Sequence, residues 1–140
     1  MKKPKKILIM GLPGAGKTTL AKELHNIIDS VWINADQVRK NANDWDFSAD
    51  GRQRQAIRMK NLADKALKEN KHVIVDFICP TPQTRQDFNA DFIIWMDTIK
   101  EGRFEDTNLM FVKPKNYNYR VTKKNAELIS IQIADKIKGM

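Results

Sequence analysis

The feature that most constrains the fold is a glycine-rich segment at residues 11–18, which reads Gly-Leu-Pro-Gly-Ala-Gly-Lys-Thr. It fits the pattern G-x-x-x-x-G-K-S/T, whose glycines let successive backbone N–H groups wrap around phosphate oxygens. The apolar run Lys6–Met10 precedes it and is typical of a buried strand, and residues 17–28 carry leucines and isoleucines at helical spacing. A strand, this loop and a helix in sequence form the context in which the pattern binds phosphate.

The loop predicts a nucleotide site with ATP and Mg²⁺ as its ligands. Lys17 is expected to reach the β- and γ-phosphates, and the Thr18 hydroxyl is expected to hold Mg²⁺. The predicted nucleotide-binding residues are Gly11, Gly14, Ala15, Gly16, Lys17, Thr18 and Thr19. A plain turn between strand and helix is the alternative, and the flanking elements favour the phosphate site.

The rest of the chain alternates between apolar runs and amphipathic stretches. Further strands are predicted at 31–34, 72–77, 92–96 and 117–121, and further helices at 52–70, 84–89 and 125–138. Continuous apolar strands separated by helices predict a three-layer αβα P-loop NTPase fold with a mainly parallel sheet. A length of 140 residues suits one domain over residues 1–140, with a basic arm at residues 1–5.

Charge and cysteine content narrow the class of protein. Lys and Arg total 25 against 17 Asp and Glu, a net charge of +8, which favours an anionic partner. The single cysteine, Cys79, excludes an internal disulfide framework and a multi-cysteine zinc site. The apolar run at residues 7–10 is too short for a signal-peptide core or a membrane span, so a cytoplasmic protein without membrane contact is expected.

Two acidic residues follow predicted strands, where ligands bind in parallel sheets. Asp76 ends the run Val-Ile-Val-Asp and is a candidate for the Mg²⁺ shell, or a simple cap of the strand end. Asp36 and Arg39 have the i, i+3 spacing that puts both on one side of a helical turn. Asp36 is predicted to take a proton from an attacking hydroxyl and Arg39 to hold an anionic substrate, with a surface ion pair as the alternative.

These motifs together resemble adenylyl-sulfate kinases, which are P-loop kinases that phosphorylate the 3′-hydroxyl of adenylyl sulfate with MgATP. The resemblance runs over residues 11–18, 33–39, 47–52 and 73–80. It implies that Asp36 lies near the attacking hydroxyl and that Arg39 and Arg52 grip the substrate phosphate and sulfate. The other substrate-binding residues that it implies are Phe47, Phe77, Ile78, Pro80 and Arg85.

The chain departs from the family pattern at several positions. Gly51 stands where the family usually has Asp, Arg54-Gln55 where it has Glu-Asn, and Asp76 and Cys79 where it has Ser. Residues 100–116, which follow the fourth strand, form at most a reduced lid. The basic residues that could serve this lid are Arg103, Lys113, Lys115 and Arg120.

The predicted activity is ATP-dependent transfer of a phosphoryl group to a small anionic nucleotide, adenylyl sulfate by resemblance. A 5′-hydroxyl polynucleotide kinase, another small-metabolite kinase and a non-catalytic nucleotide-binding protein remain alternatives. Basic residues interleaved with Tyr117 and Tyr119 leave nucleic acid open as a partner, although a solvated strand and loop is favoured. Trp45 either covers a ligand base or fastens its loop, and the resemblance allows for a homodimer.

Overall fold

The computed structural model describes residues 3–102 and 104–140. Its strands are β1 (Lys6–Met10), β2 (Ser30–Asn34), β3 (His72–Asp76), β4 (Phe92–Met96) and β5 (Tyr119–Val121). Its helices are α1 (Lys17–Ile27), α2 (Ala35–Ala42), α3 (Ala49–Lys68), α4 (Pro82–Phe88), α5 (Glu105–Met110) and α6 (Ala126–Lys138).

The five strands form one parallel sheet in the order β2-β3-β1-β4-β5. Strand β1 lies in the centre and all five of its residues are buried, which accounts for the apolar run that follows Lys6. At its carboxyl end Ile9 pairs with Asp76 of β3, and Met10 pairs with Trp95 of β4. The carboxyl ends of the strands therefore meet at the edge from which the glycine-rich loop leaves β1.

Alternation along β1 separates two cores, one on each face of the sheet. Ile7 and Ile9 pack with apolar residues of α1 and α6, whereas Leu8 and Met10 pack with those of α2, α3 and α4. Helices cover both faces, so the predicted three-layer αβα P-loop NTPase fold is confirmed. None of the helices within residues 3–102 and 104–140 is long and apolar enough to cross a membrane.

Several helices begin at a different residue from the one predicted, because capping side chains determine where a helix begins. The helix expected at 52–70 begins at Ala49, since the Ser48 side chain accepts a hydrogen bond from the Gly51 amide. The helix expected at 84–89 begins at Pro82, capped by Thr81 in the same way. Helix α5 was not predicted at all, because its six residues are too few to show an apolar period.

Candidate active site

One large cleft opens at the carboxyl edge of the sheet. Its volume is about 1670 Å³, which exceeds the roughly 300–1,000 Å³ of a typical single-ligand pocket. The glycine-rich loop lines one part of it, and α2, the start of α3 and the end of β3 line the other. The cleft therefore has room for two ligands side by side.

The glycine-rich loop joins β1 to α1 through backbone shapes that side chains disfavour. Gly16, the N-cap of α1, has a φ of 99°, in the left-handed region that glycine adopts without strain. The Lys17 ammonium donates to the carbonyls of Gly11 and Leu12, each at 2.9 Å, so the side chain lies back over its own loop. Lys124 donates to the Gly14 carbonyl at 2.9 Å and holds the loop from the β5–α6 connection, a contact that sequence reasoning missed.

Asp76 is the most deeply buried acid of the cleft, with only 2% of its surface exposed. One carboxylate oxygen accepts hydrogen bonds from Thr18 Oγ1 at 3.2 Å and Asn34 Nδ2 at 2.9 Å, and the other accepts from Trp32 Nε1 at 2.7 Å. Burial raises the pKa of Asp76 above its ordinary value, and these three hydrogen bonds oppose the rise.

The surroundings of Asp76 fit a magnesium ion. The Thr18 hydroxyl and the Asp76 carboxylate are neighbouring hard oxygen donors, the kind that Mg²⁺ binds in small number while keeping waters and phosphates as its other ligands. Trp32 orients this carboxylate, a role that sequence reasoning missed. The signal for it lay in strand alternation, since Trp32 and Asn34 share one face of β2, and Asn34 pairs with Asp76.

Asp36 and Arg39 both lie on α2 and both line the cleft, as their spacing predicted. Asp36 is in the first turn of the helix, whose N-cap Asn34 accepts a hydrogen bond from the Gln37 amide. Arg39 is buried and donates to the carbonyls of Asp44 at 2.9 Å and Asp46 at 3.2 Å. Desolvation lowers the pKa of Arg39, although a guanidinium stays protonated at any physiological pH.

Phe47 lies between the two predicted substrate arginines. Its ring centre is 4.3 Å from the Arg39 guanidinium and 5.8 Å from that of Arg52. Arg52 also donates through Nε to the Phe47 carbonyl at 2.8 Å. The aromatic ring and the two cations thus form one wall of the cleft.

The loop that carries Phe47 is held by ion pairs, and one of the cations, Arg54, is a departure from the family pattern. Arg54 donates to the Asp44 carboxylate at 3.2 Å and to that of Asp46 at 2.9 Å, and Arg58 pairs with Asp44 as well. Hydrogen bonds from Ser48, and then from Arg54, lower the pKa of Asp46 to about 2. Trp45 of this loop lines the cleft and is half exposed.

Gly51 allows that loop to approach α3. A Cβ atom at this position would lie 2.1 Å from the carbonyl oxygen of Asp46, which no side chain tolerates. The glycine that stands where the family has Asp therefore has a structural cause in this chain.

The segment after β3 divides into residues that face the cleft and one that does not. Phe77, Ile78 and Pro80, which the resemblance predicts to bind substrate, line the cleft. Arg85 is buried away from it and donates to the carbonyls of Cys79, Pro80 and Val112. Its guanidinium is used to hold backbone, which leaves it poorly placed to bind substrate. Burial raises the pKa of the Cys79 thiol to about 12, so this cysteine stays neutral.

The residues considered for a basic lid are dispersed. Arg120 pairs with Asp97 and contacts the Trp95 ring, outside the lining of the cleft. Lys113 and Lys115 are exposed and do not line the cleft either. Arg103 lies outside the described residues. The segment instead contributes α5, which has two acids, Glu105 and Asp106, in its first turn.

The sequence matches one protein family and shares its fold with several solved kinases. Residues 7–92 match the family described as the AAA domain. The Mycobacterium tuberculosis APS kinase in complex with AMPPNP and APS is similar, with a TM-score of 0.78, 19% identity and 99% of each chain covered. So is the shikimate kinase of Acinetobacter baumannii in complex with shikimate, with a TM-score of 0.65, 16% identity, and 97% of this chain and 94% of that one covered.

A gluconokinase from Sinorhizobium meliloti is a third similar structure, with a TM-score of 0.64, 12% identity, and 99% of this chain and 98% of that one covered. No curated protein matches the sequence. At these identities the solved structures establish the shared fold, and the resemblance to adenylyl-sulfate kinases is confirmed at that level.

Proposed function

The chain belongs to the AAA-domain family of P-loop proteins, and from that premise we propose that it is an ATP-dependent small-molecule kinase. Its acceptor is a hydroxyl of a small anionic nucleotide, and the 3′-hydroxyl of adenylyl sulfate is the acceptor that the motifs support best. Residues 1–140 act in this proposal as a single kinase domain.

The observation that carries the proposal is the continuity of the cleft. The same cavity is lined by Lys17 and Thr18 of the phosphate loop and by Asp36 of α2. Phosphoryl transfer requires the two substrates to lie side by side with their reacting oxygens in line, because positioning and electrostatics supply most of the catalysis.

ATP binds in this proposal at the glycine-rich loop. Backbone N–H groups of residues 14–19 and the positive end of α1 surround the phosphates, and Lys17 leaves the carbonyls of Gly11 and Leu12 to meet the β- and γ-phosphates. Thr18 and Asp76 are the residues that would hold Mg²⁺. When bound, that ion would neutralise charge on the phosphate oxygens.

The acceptor binds on the other side, against Phe47, Arg39 and Arg52, with Phe77 and Ile78 beneath it. Asp36 accepts the proton of the acceptor hydroxyl as its oxygen forms the new bond to the γ-phosphorus. The bond between that phosphorus and the bridging oxygen breaks, and ADP leaves with the electron pair. A phosphorylated acceptor and ADP are the products.

A second candidate acceptor is a polynucleotide with a free 5′-hydroxyl. The cleft continues between α3 and α4, where Lys60, Gln83 and Thr84 line it, and this extension offers room for an acceptor longer than one nucleotide. Lys60 supplies one positive charge there, 3.8 Å from the carboxylate of Asp64, and Asp87 supplies one negative charge.

The test is transfer of label from γ-labelled ATP with three reactions in parallel, offering adenylyl sulfate, a 5′-hydroxyl oligonucleotide and no acceptor. Label on adenylyl sulfate alone supports the proposal, and label on the oligonucleotide alone replaces it with the second candidate. Label on neither, together with measurable ATP binding, would point to a non-catalytic nucleotide-binding protein.

A further inference from the structure

Helix α5 brings an acid to the anion-binding wall of the cleft. Asp106 Oδ2 accepts a hydrogen bond from Arg52 Nη2 at 3.0 Å, and the same nitrogen donates to Thr107 Oγ1 at 3.3 Å. Asp106 lines the cleft beside Phe47 and Arg52. A carboxylate is therefore hydrogen-bonded to the guanidinium that, in the proposed function, binds the acceptor.

The two partners of this ion pair differ in how firmly they are held. The Arg52 side chain is 14% exposed and is fixed by the Phe47 carbonyl and the buried Thr107 hydroxyl, so the cation stays in place whether or not Asp106 is present. The Asp106 side chain is 69% exposed and sits at the rim. An exposed carboxylate leaves such a pair at little cost, because water solvates it at once.

The short helix that carries Asp106 is buried on one side and exposed on the other. It spans six residues, of which Thr107 is 2% exposed and Leu109 is 83% exposed. Asp106 can therefore yield its place without disturbing the two cores of the sheet.

From these contacts we infer that Asp106 is a specificity-determining residue, which competes with the anionic group of the acceptor for Arg52. A sulfate or phosphate oxygen accepts the same charge-assisted hydrogen bond from Nη2 that Asp106 accepts in this structure. An acceptor with an anion at this point binds by displacing Asp106, whereas a neutral acceptor leaves the pair intact. Asp106 thereby sets how tightly an anionic group of the acceptor must bind Arg52 in order to displace the carboxylate.

This inference rests on the proposed function for the role of Arg52 in acceptor binding, so its test is made independent of any transfer reaction. The probe is sodium sulfate, titrated into the full chain at constant ionic strength. The readout is the NMR signal of the Arg52 Nε–H group, assigned by its loss in Arg52→Lys. That group is hydrogen-bonded to the Phe47 carbonyl, which slows its exchange with water.

The variants are Asp106→Asn, which keeps the shape and removes the charge, and Glu105→Gln, which removes one charge from the same turn of α5. We expect the sulfate midpoint at Arg52 to fall about two- to fivefold in Asp106→Asn, the range that partly exposed ion pairs contribute. Glu105→Gln should leave the sulfate midpoint near the wild-type value, because only the Asp106 carboxylate is proposed to compete with sulfate for Arg52.

An unchanged or raised midpoint in Asp106→Asn would overturn the inference, as would an Arg52 signal that does not respond to sulfate in any of the proteins. An equal fall in Glu105→Gln would also overturn it, because general charge would then explain the result. Where adenylyl sulfate is a substrate, its KM should fall in Asp106→Asn with kcat nearly unchanged. Failure of adenylyl sulfate as a substrate would sink the proposed acceptor while the sulfate titration still decides the role of Asp106.

Discussion

The indole of Trp32 donates its Nε1 hydrogen to the carboxylate of Asp76 across 2.7 Å. The two residues lie on neighbouring strands, β2 and β3, and the contact fixes one oxygen of a buried acid while the other faces Thr18. A hydrogen bond to an ionised buried group is among the stronger ones in proteins, so this pair links the stability of the sheet to the geometry of the metal-binding end of the cleft.

Replacing Trp32 by Phe should therefore destabilise the protein in a pH-dependent way. At neutral pH we expect the free energy of unfolding to fall by about 1–3 kcal/mol, because a buried carboxylate loses a donor. In acid the loss should shrink, since a protonated carboxyl needs the donor less. Urea unfolding at both pH values measures this, with Trp95→Phe as a control that removes an indole from β4; an equal loss at both pH values would contradict the role given to Trp32.

Asp76 itself should lower stability as the pH rises. Its folded pKa lies above the ordinary 3.8, so between that value and the folded pKa the native chain holds a proton that the unfolded chain has released. The contribution of Asp76 to the free energy of unfolding therefore falls as the pH rises through this window and stays constant above it. The difference between wild type and Asp76→Asn, measured by urea unfolding over the acid to neutral range, should follow that course. A difference that grows with pH would show that the folded pKa is lowered instead.

The strands and the phosphate loop could be predicted because local sequence decides them. Lys6–Met10 is apolar at every position except the first, and the residues that follow this strand match the phosphate-loop pattern. Asp36 and Arg39 could be placed at the cleft from sequence, since residues after parallel strands meet at one edge, whereas Phe47 came from the family resemblance alone.

The remaining features depend on tertiary contacts, which cannot be predicted from local sequence. Arg85 matched a family position, yet its guanidinium donates to the nearby carbonyls of Cys79 and Pro80 and to the distant carbonyl of Val112. Helix α5 is too short to show a period, and the pairing of Asp106 with Arg52 joins residues 54 positions apart. The close approach of Asp46 to Gly51 likewise appears only when the loop is folded.

Gly51→Ala should destabilise the protein, although the same change inside most helices stabilises it. The added methyl group would meet the Asp46 carbonyl, so the loop must move and take Phe47 away from Arg39 and Arg52. We expect a loss of about 1–3 kcal/mol in the free energy of unfolding, typical of overpacking. Acceptor affinity should fall while ATP affinity stays near wild type.

Thermal unfolding and calorimetric binding of each ligand measure these effects. Asn61→Ala, at an exposed position later in the same helix, is the matched control and should be neutral or stabilising. A stabilised Gly51→Ala protein would show that the loop does not need the glycine.

Lys17→Ala should abolish ATP-dependent transfer without unfolding the chain. The ammonium lies over the phosphate loop, and its loss removes charge where it is needed on the β- and γ-phosphates. We expect at least about a 100-fold fall in transfer, as for other electrostatic groups that act on the transition state. Lys22→Ala, which removes an exposed lysine from the same helix, serves as the control, and retained turnover in Lys17→Ala would end the argument from the phosphate loop.

We propose that Asp36 and the phosphate loop serve one transfer reaction across a shared cleft. To test this, Asp36→Ala is compared with wild type in single-turnover transfer from γ-labelled ATP to adenylyl sulfate, with the Kd for ATP measured on the same samples. Asp50→Ala, which removes a first-turn acid from α3, is the control. For Asp36→Ala we expect a Kd within about twofold of wild type and a transfer rate lowered by about 10²- to 10⁴-fold, the range for general bases. Transfer at the wild-type rate in Asp36→Ala would contradict it.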